Sequence, residues 1–308
     1  MASSKIHLPD FIFVGAAKAG TTSLYNYLNQ HPEISIPIKE TFFFNREHYP
    51  EKLLEYPKQR VPESICRTIE EYVDNFRDID ETKVVGEIGT GYLFHHEYSI
   101  PEIKKTLGTD VKIGIVLRNP VERTFSSYMH FKRFSLGLED LLKEIEKEDS
   151  RAAQGFDFMW QFTGISLYAK QVEAYLNNFE NVAIFYYEDL VEHPSAFMKG
   201  VAEFLGVDST HAFATEEKFN PSGEVQINWL QKVLTHNLKI KQLLRPAYHA
   251  IFGKEKVEQF RDRLRDRNIR KVGLTMNERK HLVKLFEDDV HRLESILPVK
   301  KNLTRLWF

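Results

Sequence analysis

The sequence predicts an α/β fold: a parallel sheet flanked by helices, followed by a helical C-terminal layer. Two observations carry this. Four short runs rich in β-branched and aromatic residues, Phe11–Val14, Val84–Ile88, Lys112–Leu117 and Val182–Tyr187, read as buried strands. Amphipathic helical patterns separate them, and strand–helix alternation implies parallel pairing with helices on both faces.

The elements follow in order. After the first strand, Thr22–Asn29 carries Leu24 and Leu28 on one helical face. Thr68-Ile-Glu-Glu71 has capping-box spacing and opens an amphipathic stretch toward Phe76. Behind the third strand, Asn119-Pro120 starts a helix with proline at its first position, and the pattern continues toward Lys132. Ile165–Phe179 and Pro194–Leu205 are further helices. Residues 229–297 show only helical patterns, with a second capping box at Thr275–Glu278. There Leu282, Leu285, Phe286, Leu293 and Ile296 line one face. No Pro/Gly/Ser-rich linker divides the chain. Residues 1–308 are therefore expected to form a single domain, with 229–297 its helical C-terminal portion.

Composition bounds the function. The 308 residues are 42% hydrophobic and 28% charged, which is ordinary for a globular protein. Lys and Arg number 42 against 44 acids, for a net charge of -2. That balance argues against a nucleic-acid partner, which calls for a large basic excess. No apolar run approaches the roughly 20 residues of a membrane-spanning helix, so no membrane span is expected. The opening MASSKIHLPD lacks the features of a signal peptide. Cys66 is the one cysteine, which excludes an intrachain disulfide and a Cys-rich zinc site.

The strongest motif follows the first strand: Gly15-Ala-Ala17-Lys18-Ala19-Gly20-Thr21-Thr22-Ser23. Glycine lets backbone N–H groups converge on an anion, and the helix start adds unpaired donors and a positive dipole end. Thr21, Thr22 and Ser23 add hydroxyls, and Lys18 supplies counter-charge. The glycine spacing is that of a nucleotide-triphosphate loop, and the predicted fold is accordingly P-loop-NTPase-like. The lysine of that loop is replaced by Thr21, however, so no hydroxyl follows a lysine to hold magnesium. A second anion motif follows the third strand. Arg118 sits at the strand's carboxyl end, and Ser126 faces back toward it from two helical turns in. Arginine suits a terminal phosphate through its bidentate fork. Arg123, beside Glu122, reads as a surface ion pair.

These two segments resemble the donor-binding motifs of the sulfotransferases that use 3′-phosphoadenosine 5′-phosphosulfate (PAPS). The resemblance continues through Lys39-Glu40-Thr41-Phe42-Phe43, Gly86-Glu87 with Tyr92-Leu93, Tyr187-Glu188-Asp189-Leu190 and Asn220-Pro221-Ser222-Gly223. It spans about two-thirds of the chain and looks nearest the heparan-sulfate-type and related bacterial enzymes. It implies that Ala17–Ser23 embraces the 5′-phosphosulfate, that Arg118 and Ser126 hold the 3′-phosphate, and that Asn220, Ser222 and Gly223 cap the donor. It also implies Glu40 as general base. The single cysteine separates this chain from disulfide-bearing secretory members, so a cytoplasmic enzyme is expected.

Sulfuryl transfer needs the acceptor deprotonated, the migrating group in line, and the leaving oxygen stabilised. It requires no metal. Lys18 is the candidate for the leaving group, since a cation there gains strength as charge develops. Glu40 sits among apolar neighbours, a setting that strengthens a carboxylate base, although a pairing with Lys39 is open. His95 and His96, in a strand-to-loop segment, are the alternative bases, His96 the preferred one. Glu87 ends the second strand, where it can contact substrate or anchor the first loop or a basic residue. After it the heparan-type Lys-Thr-Pro is absent; Ile88-Gly89-Thr90 stands there, with Thr90 a substitute donor. Tyr186–Leu190 reads as a strand end and a turn with a structural role.

The expected acceptor is a hydroxyl, with an amine second, on an anionic glycan or a small metabolite. Residues 230–272 hold twelve Lys and Arg against four acids, a tract suited to an anionic acceptor or to a solvated face. Phe42, Phe43, Phe44, Tyr49, Phe156, Phe158 and Trp160 divide between an acceptor cleft and core packing. Two other classes stay open: a P-loop small-molecule or nucleotide kinase, and a nucleotide- or glycan-binding protein without turnover.

Overall fold

The computed structural model describes residues 6–49, 65–133, 137–215 and 272–308, with the backbone of 224–225 and 269–270. The first half comprises β1 (Phe11–Gly15), α1 (Thr21–Leu28), β2 (Ile34–Ser35), a 3₁₀ turn (Phe43–His48), α2 (Ile69–Asp74), β3 (Val84–Ile88) and α3 (His96–Leu107). Then come β4 (Lys112–Leu117), α4 (Pro120–Lys132), α5 (Leu141–Ile145), α6 (Glu148–Ala153), α7 (Tyr168–Leu176), β5 (Val182–Tyr186), α8 (Tyr187–Glu192) and α9 (Pro194–Leu205). Short strands β6 (Glu224–Val225) and β7 (Ile269–Arg270) precede α10 (Met276–Ile296) and α11 (Leu303–Trp307).

Five strands form one parallel sheet in the order β2-β3-β1-β4-β5. β1 is central and wholly buried, and β4 is buried after its first residue. Helices cover both faces of such a sheet, which is why its strands are continuous apolar runs rather than alternating ones. Register aligns Phe13 with Ile88 and Gly15 with Ile115, so the carboxyl ends of β1, β3 and β4 open side by side.

Both capping boxes form as read, at Thr68/Glu71 and Thr275/Glu278. α10 buries Leu282, Phe286, Val290 and Leu293 and packs on α7 and α4. Its Asp289 accepts the N–H groups of Tyr168 at 2.7 Å and Ala169 at 3.2 Å, capping α7 from another helix.

Several features depart from the sequence reading. β2 has two residues, too few to show a pattern. α3 carries a polar face and an internal proline, Pro101, which masked its periodicity; His96 begins this helix rather than lying in a loop. β7 pairs antiparallel with β6, Glu224 opposite Arg270, so the tract from 229 is not helical throughout. Tyr187 opens α8 instead of ending β5. Among the described residues, no helix is long and apolar enough to cross a membrane.

Candidate active site

The loop after β1 is shaped by two left-handed residues. Gly20, at φ 85°, caps α1, and a Cβ there would lie 2.8 Å from the Tyr187 ring and 2.9 Å from Leu190. Only glycine meets both demands. Lys18 adopts φ 70°, a conformation that costs a lysine energy and that folds retain chiefly where a site is built. No side chain caps α1, so its first N–H groups stay available beside the loop.

The second motif braces the first. Arg118 donates to the Lys18 carbonyl at 3.0 Å while its guanidinium lies 4.5 Å from the Tyr187 ring centre. The Arg118 carbonyl accepts the Tyr168 hydroxyl at 3.0 Å. Arg123 corrects the sequence reading: it is fully buried, not a surface partner of Glu122. It donates to Ser166 Oγ at 2.5 Å, to the Phe162 carbonyl, and to the Ala17 carbonyl at 3.4 Å. Glu122 pairs instead with Arg279 of α10. With Glu122 and Thr124 on either side, Arg123 gave no sequence signal of burial.

A cleft of about 340 Å³ gathers most of the sequence-predicted residues. Ala17, Lys18, Gly20, Thr21, Thr22, Ser23, Glu40, Arg118 and Ser126 all line it. Ala19 is buried beneath them. His96 lines neither this cleft nor its neighbour; its ring is buried at the start of α3, with Nδ1 3.3 Å from the Phe94 carbonyl. Asn220, Ser222, Gly223 and most of the 230–272 tract lie outside the described residues.

The cleft is strongly cationic. Burial, together with the charges of Arg133, Arg118, Arg123 and Lys39, pushes the Lys18 ammonium down to about 7. Its Nζ lies 3.3 Å from His130 Nδ1. Lys39 donates to Thr22 Oγ1 at 3.2 Å and pairs with Glu40 at 3.1 Å. Glu40 is thus paired with a cation, while Phe42 shares a pocket wall with it. Lys39, His130 and Tyr187 were not singled out as site residues from the sequence. His130 was detectable, because it stands four residues after Ser126 on the same face of α4.

Glu87 holds the Glu40 segment in place. It is fully buried and accepts from Thr41 N–H at 3.1 Å, Thr41 Oγ1 at 2.6 Å, Tyr92 at 2.6 Å and Tyr72 at 3.2 Å. Burial raises its pKa, against the pull of these donors. The Lys39 carbonyl meanwhile accepts Ile88 N–H at 2.9 Å. Of the two anchoring roles read from the sequence, neither applies: the partner is the strand-crossing segment, not the first loop or a basic residue.

A second pocket of about 220 Å³ shares Glu40, Thr90, His130 and Met159 with the first. Phe42, Tyr49, Phe158 and Trp160 line it as the cleft reading has it, joined by Phe131. Phe43 and Phe44 belong to the core, where Phe43 stacks on Tyr72 at 4.5 Å and Phe44 meets Tyr92 edge-on at 5.5 Å.

Comparison with known proteins bears on this site. The sulfotransferase domain family matches residues 8–284. Heparan sulfate glucosamine 3-O-sulfotransferase 3A1 of Mus musculus is 26% identical over 204 residues, which cover 65% of this chain and 46% of that protein. The membrane-associated sulfotransferase kil1 of Dictyostelium discoideum is 30% identical over 124 residues, 40% of this chain and 23% of that one. The chain thus spans about half the length of the first of these relatives, and less of the second. Among solved structures, a sulfotransferase from Alicyclobacillus acidocaldarius is 27% identical with a TM-score of 0.72, covering 97% of this chain and 100% of that one. The family match takes in both anion loops and the carboxylate segment between them, and the chain belongs to the sulfotransferase family.

Proposed function

We propose that the chain transfers a sulfuryl group from PAPS to a hydroxyl, with an amine second, on a carbohydrate or small molecule. One observation carries this reading: Lys18, Arg118 and Glu40 converge on a single cleft in which Lys39 links the anion loop to the carboxylate. The donor set fits a phosphosulfate. Backbone N–H groups of the Lys18–Ser23 loop and the Thr21, Thr22 and Ser23 hydroxyls are assigned to the 5′ end, Arg118 and Ser126 to the 3′-phosphate. PAPS supplies an activated sulfuryl group, and this chain's residues supply placement and charge. Lys18 stabilises the negative charge on the departing oxygen. Glu40 accepts the proton of the acceptor hydroxyl, with His130 close to Lys18 as the histidine nearest this chemistry. Packing of α10 on α4 and α7 supports a single catalytic domain.

The test combines calorimetric titration with adenosine 3′,5′-bisphosphate and with ATP, and a transfer assay using labelled PAPS. Binding of the bisphosphate, and label transfer that fails in Lys18→Ala, support the proposal. Tight ATP binding without affinity for the bisphosphate overturns it in favour of a kinase.

A further inference from the structure

The anion cleft and the second pocket share Glu40, Thr90, His130 and Met159, so Glu40 stands where the two meet. The walls are rings. Phe131 and Trp160 lie 4.2 Å apart between centroids, and Phe42 meets Tyr49 edge-on at 5.6 Å. Tyr49, Phe131, Phe158 and Trp160 are all under a tenth exposed, so they are already packed and lose little freedom when a ligand arrives.

Phe42 is the exception. It is half-buried and sits at φ 56°, a conformation that a bulky residue rarely adopts. It directly follows Thr41, which Glu87 fixes. A strained ring held at the lip of a pocket is a wall retained for contact rather than for packing alone. The charged side chains in this lining are Glu40 and Asp157, both acids, and among the described residues no lysine or arginine lines it. A sulfated or carboxylated sugar needs cationic donors to replace the water around its anions. A flat, uncharged ring needs only apolar faces.

We propose that this pocket is the acceptor site and that it takes an uncharged aromatic alcohol of the phenol type, not an anionic glycan. The proposal rests on the sulfuryl-transfer reading. The phenolic oxygen forms a bond to sulfur as the sulfur–oxygen bond to the donor phosphate breaks. The phenolic proton passes to Glu40, and the bisphosphate leaves with the bridging electron pair.

The experiment uses the full chain, labelled PAPS, and two acceptors: 2-naphthol and a heparan-sulfate oligosaccharide. Bisphosphate affinity is measured alongside. Sulfation of 2-naphthol in preference to the oligosaccharide is expected. Phe42→Ala raises the KM for 2-naphthol about tenfold, the effect of roughly one lost ring contact, and leaves bisphosphate affinity unchanged. Phe42→Leu, which keeps the bulk, falls between. Bisphosphate binding with transfer only to the oligosaccharide overturns the acceptor proposal and leaves the sulfuryl-transfer reading standing. So does a 2-naphthol KM indifferent to both variants. Where neither acceptor is sulfated, the bisphosphate-loaded protein is titrated with 2-naphthol, and no quenching of tryptophan fluorescence overturns it as well. Absence of bisphosphate binding overturns the underlying reading instead.

Discussion

The hydroxyl and backbone N–H of Thr41 both donate to one carboxylate oxygen of Glu87, at 2.6 and 3.1 Å, entirely out of solvent. Glu40, the proposed base, is the residue before Thr41. Its placement is thus set by a buried carboxylate on β3, not by its own contacts alone. Glu87→Gln keeps one accepting oxygen but turns the other into an amide N–H₂, so the four donors can no longer all be accepted. The expected result is a kcat lowered at least tenfold with bisphosphate affinity unchanged. Glu87→Ala orphans those donors at about 1–3 kcal/mol each, so its melting temperature falls sharply. A normal kcat in a folded Glu87→Gln protein sinks the positioning role.

Burial and the neighbouring cations push the Lys18 ammonium down from 10.5 to about 7. An incoming anion offsets the surrounding cations and restores its proton. Between pH 7 and 9, bisphosphate binding therefore takes up protons, and affinity weakens as pH rises above about 7. Calorimetry in buffers of different ionisation enthalpy reads the uptake directly. Lys18→Met abolishes it, and an unchanged uptake in that variant refutes the assignment.

Arg118 and Lys18 separate by kinetics. Arg118→Ala removes a fork from the anion site and the brace on the Lys18 carbonyl. Charged hydrogen bonds of this kind are worth about 1.5–3 kcal/mol, so bisphosphate affinity falls about 10- to 100-fold. Lys18→Ala is expected chiefly to lower turnover, because in the proposed reaction its cation acts on charge that grows during transfer. Titration and steady-state rates of the two variants show the contrast, or its absence.

Arg123 and Arg279 make a matched pair of stability tests. Arg123→Lys cannot reproduce three bonds made by one planar fork, and the melting temperature is expected to drop by several degrees. Arg279→Ala breaks an exposed pair with Glu122 that is worth less than about 1 kcal/mol. Comparable losses in the two variants contradict the burial assigned to Arg123.

His95 sets an acid limit. Burial, with His48 stacked 3.7 Å away and His96 beside it, pushes His95 down to about 3. The unfolded chain binds this proton near the ordinary 6.5, so stability is full above that pH and declines as pH falls from 6.5 toward 3. Thermal melts across that range, flattened in His95→Gln, check the sign.

The sheet was legible because β1, β3 and β4 are buried beyond at most their first residue, and β5 is largely apolar, so all four read as short β-branched and aromatic runs. The anion loops were legible because each is contiguous in sequence. Sites assembled from separate segments were harder. Lys39 looked like a neighbour of Glu40 and not a bridge to Thr22, since nothing local brings residues 22 and 39 together. Arg123 looked exposed because charge is a poor guide where carbonyls and a hydroxyl, not a carboxylate, satisfy a guanidinium. The aromatic cluster split between pocket and core on a single left-handed turn at Phe42, which composition does not encode.

The bridge made by Lys39 imposes an order of events on the proposed reaction. One ammonium serves both Thr22 and Glu40. A phosphosulfate seated on the loop competes for that ammonium and draws it away from the carboxylate. Glu40 is then released to take a proton only after the donor has arrived. In the proposed reaction the cleft thereby senses its own loading, and a hydroxyl that enters early meets a carboxylate still paired with Lys39. Product-inhibition patterns of a compulsory donor-first sequence in the wild type, turning random in Lys39→Met, are the kinetic signature of that gate.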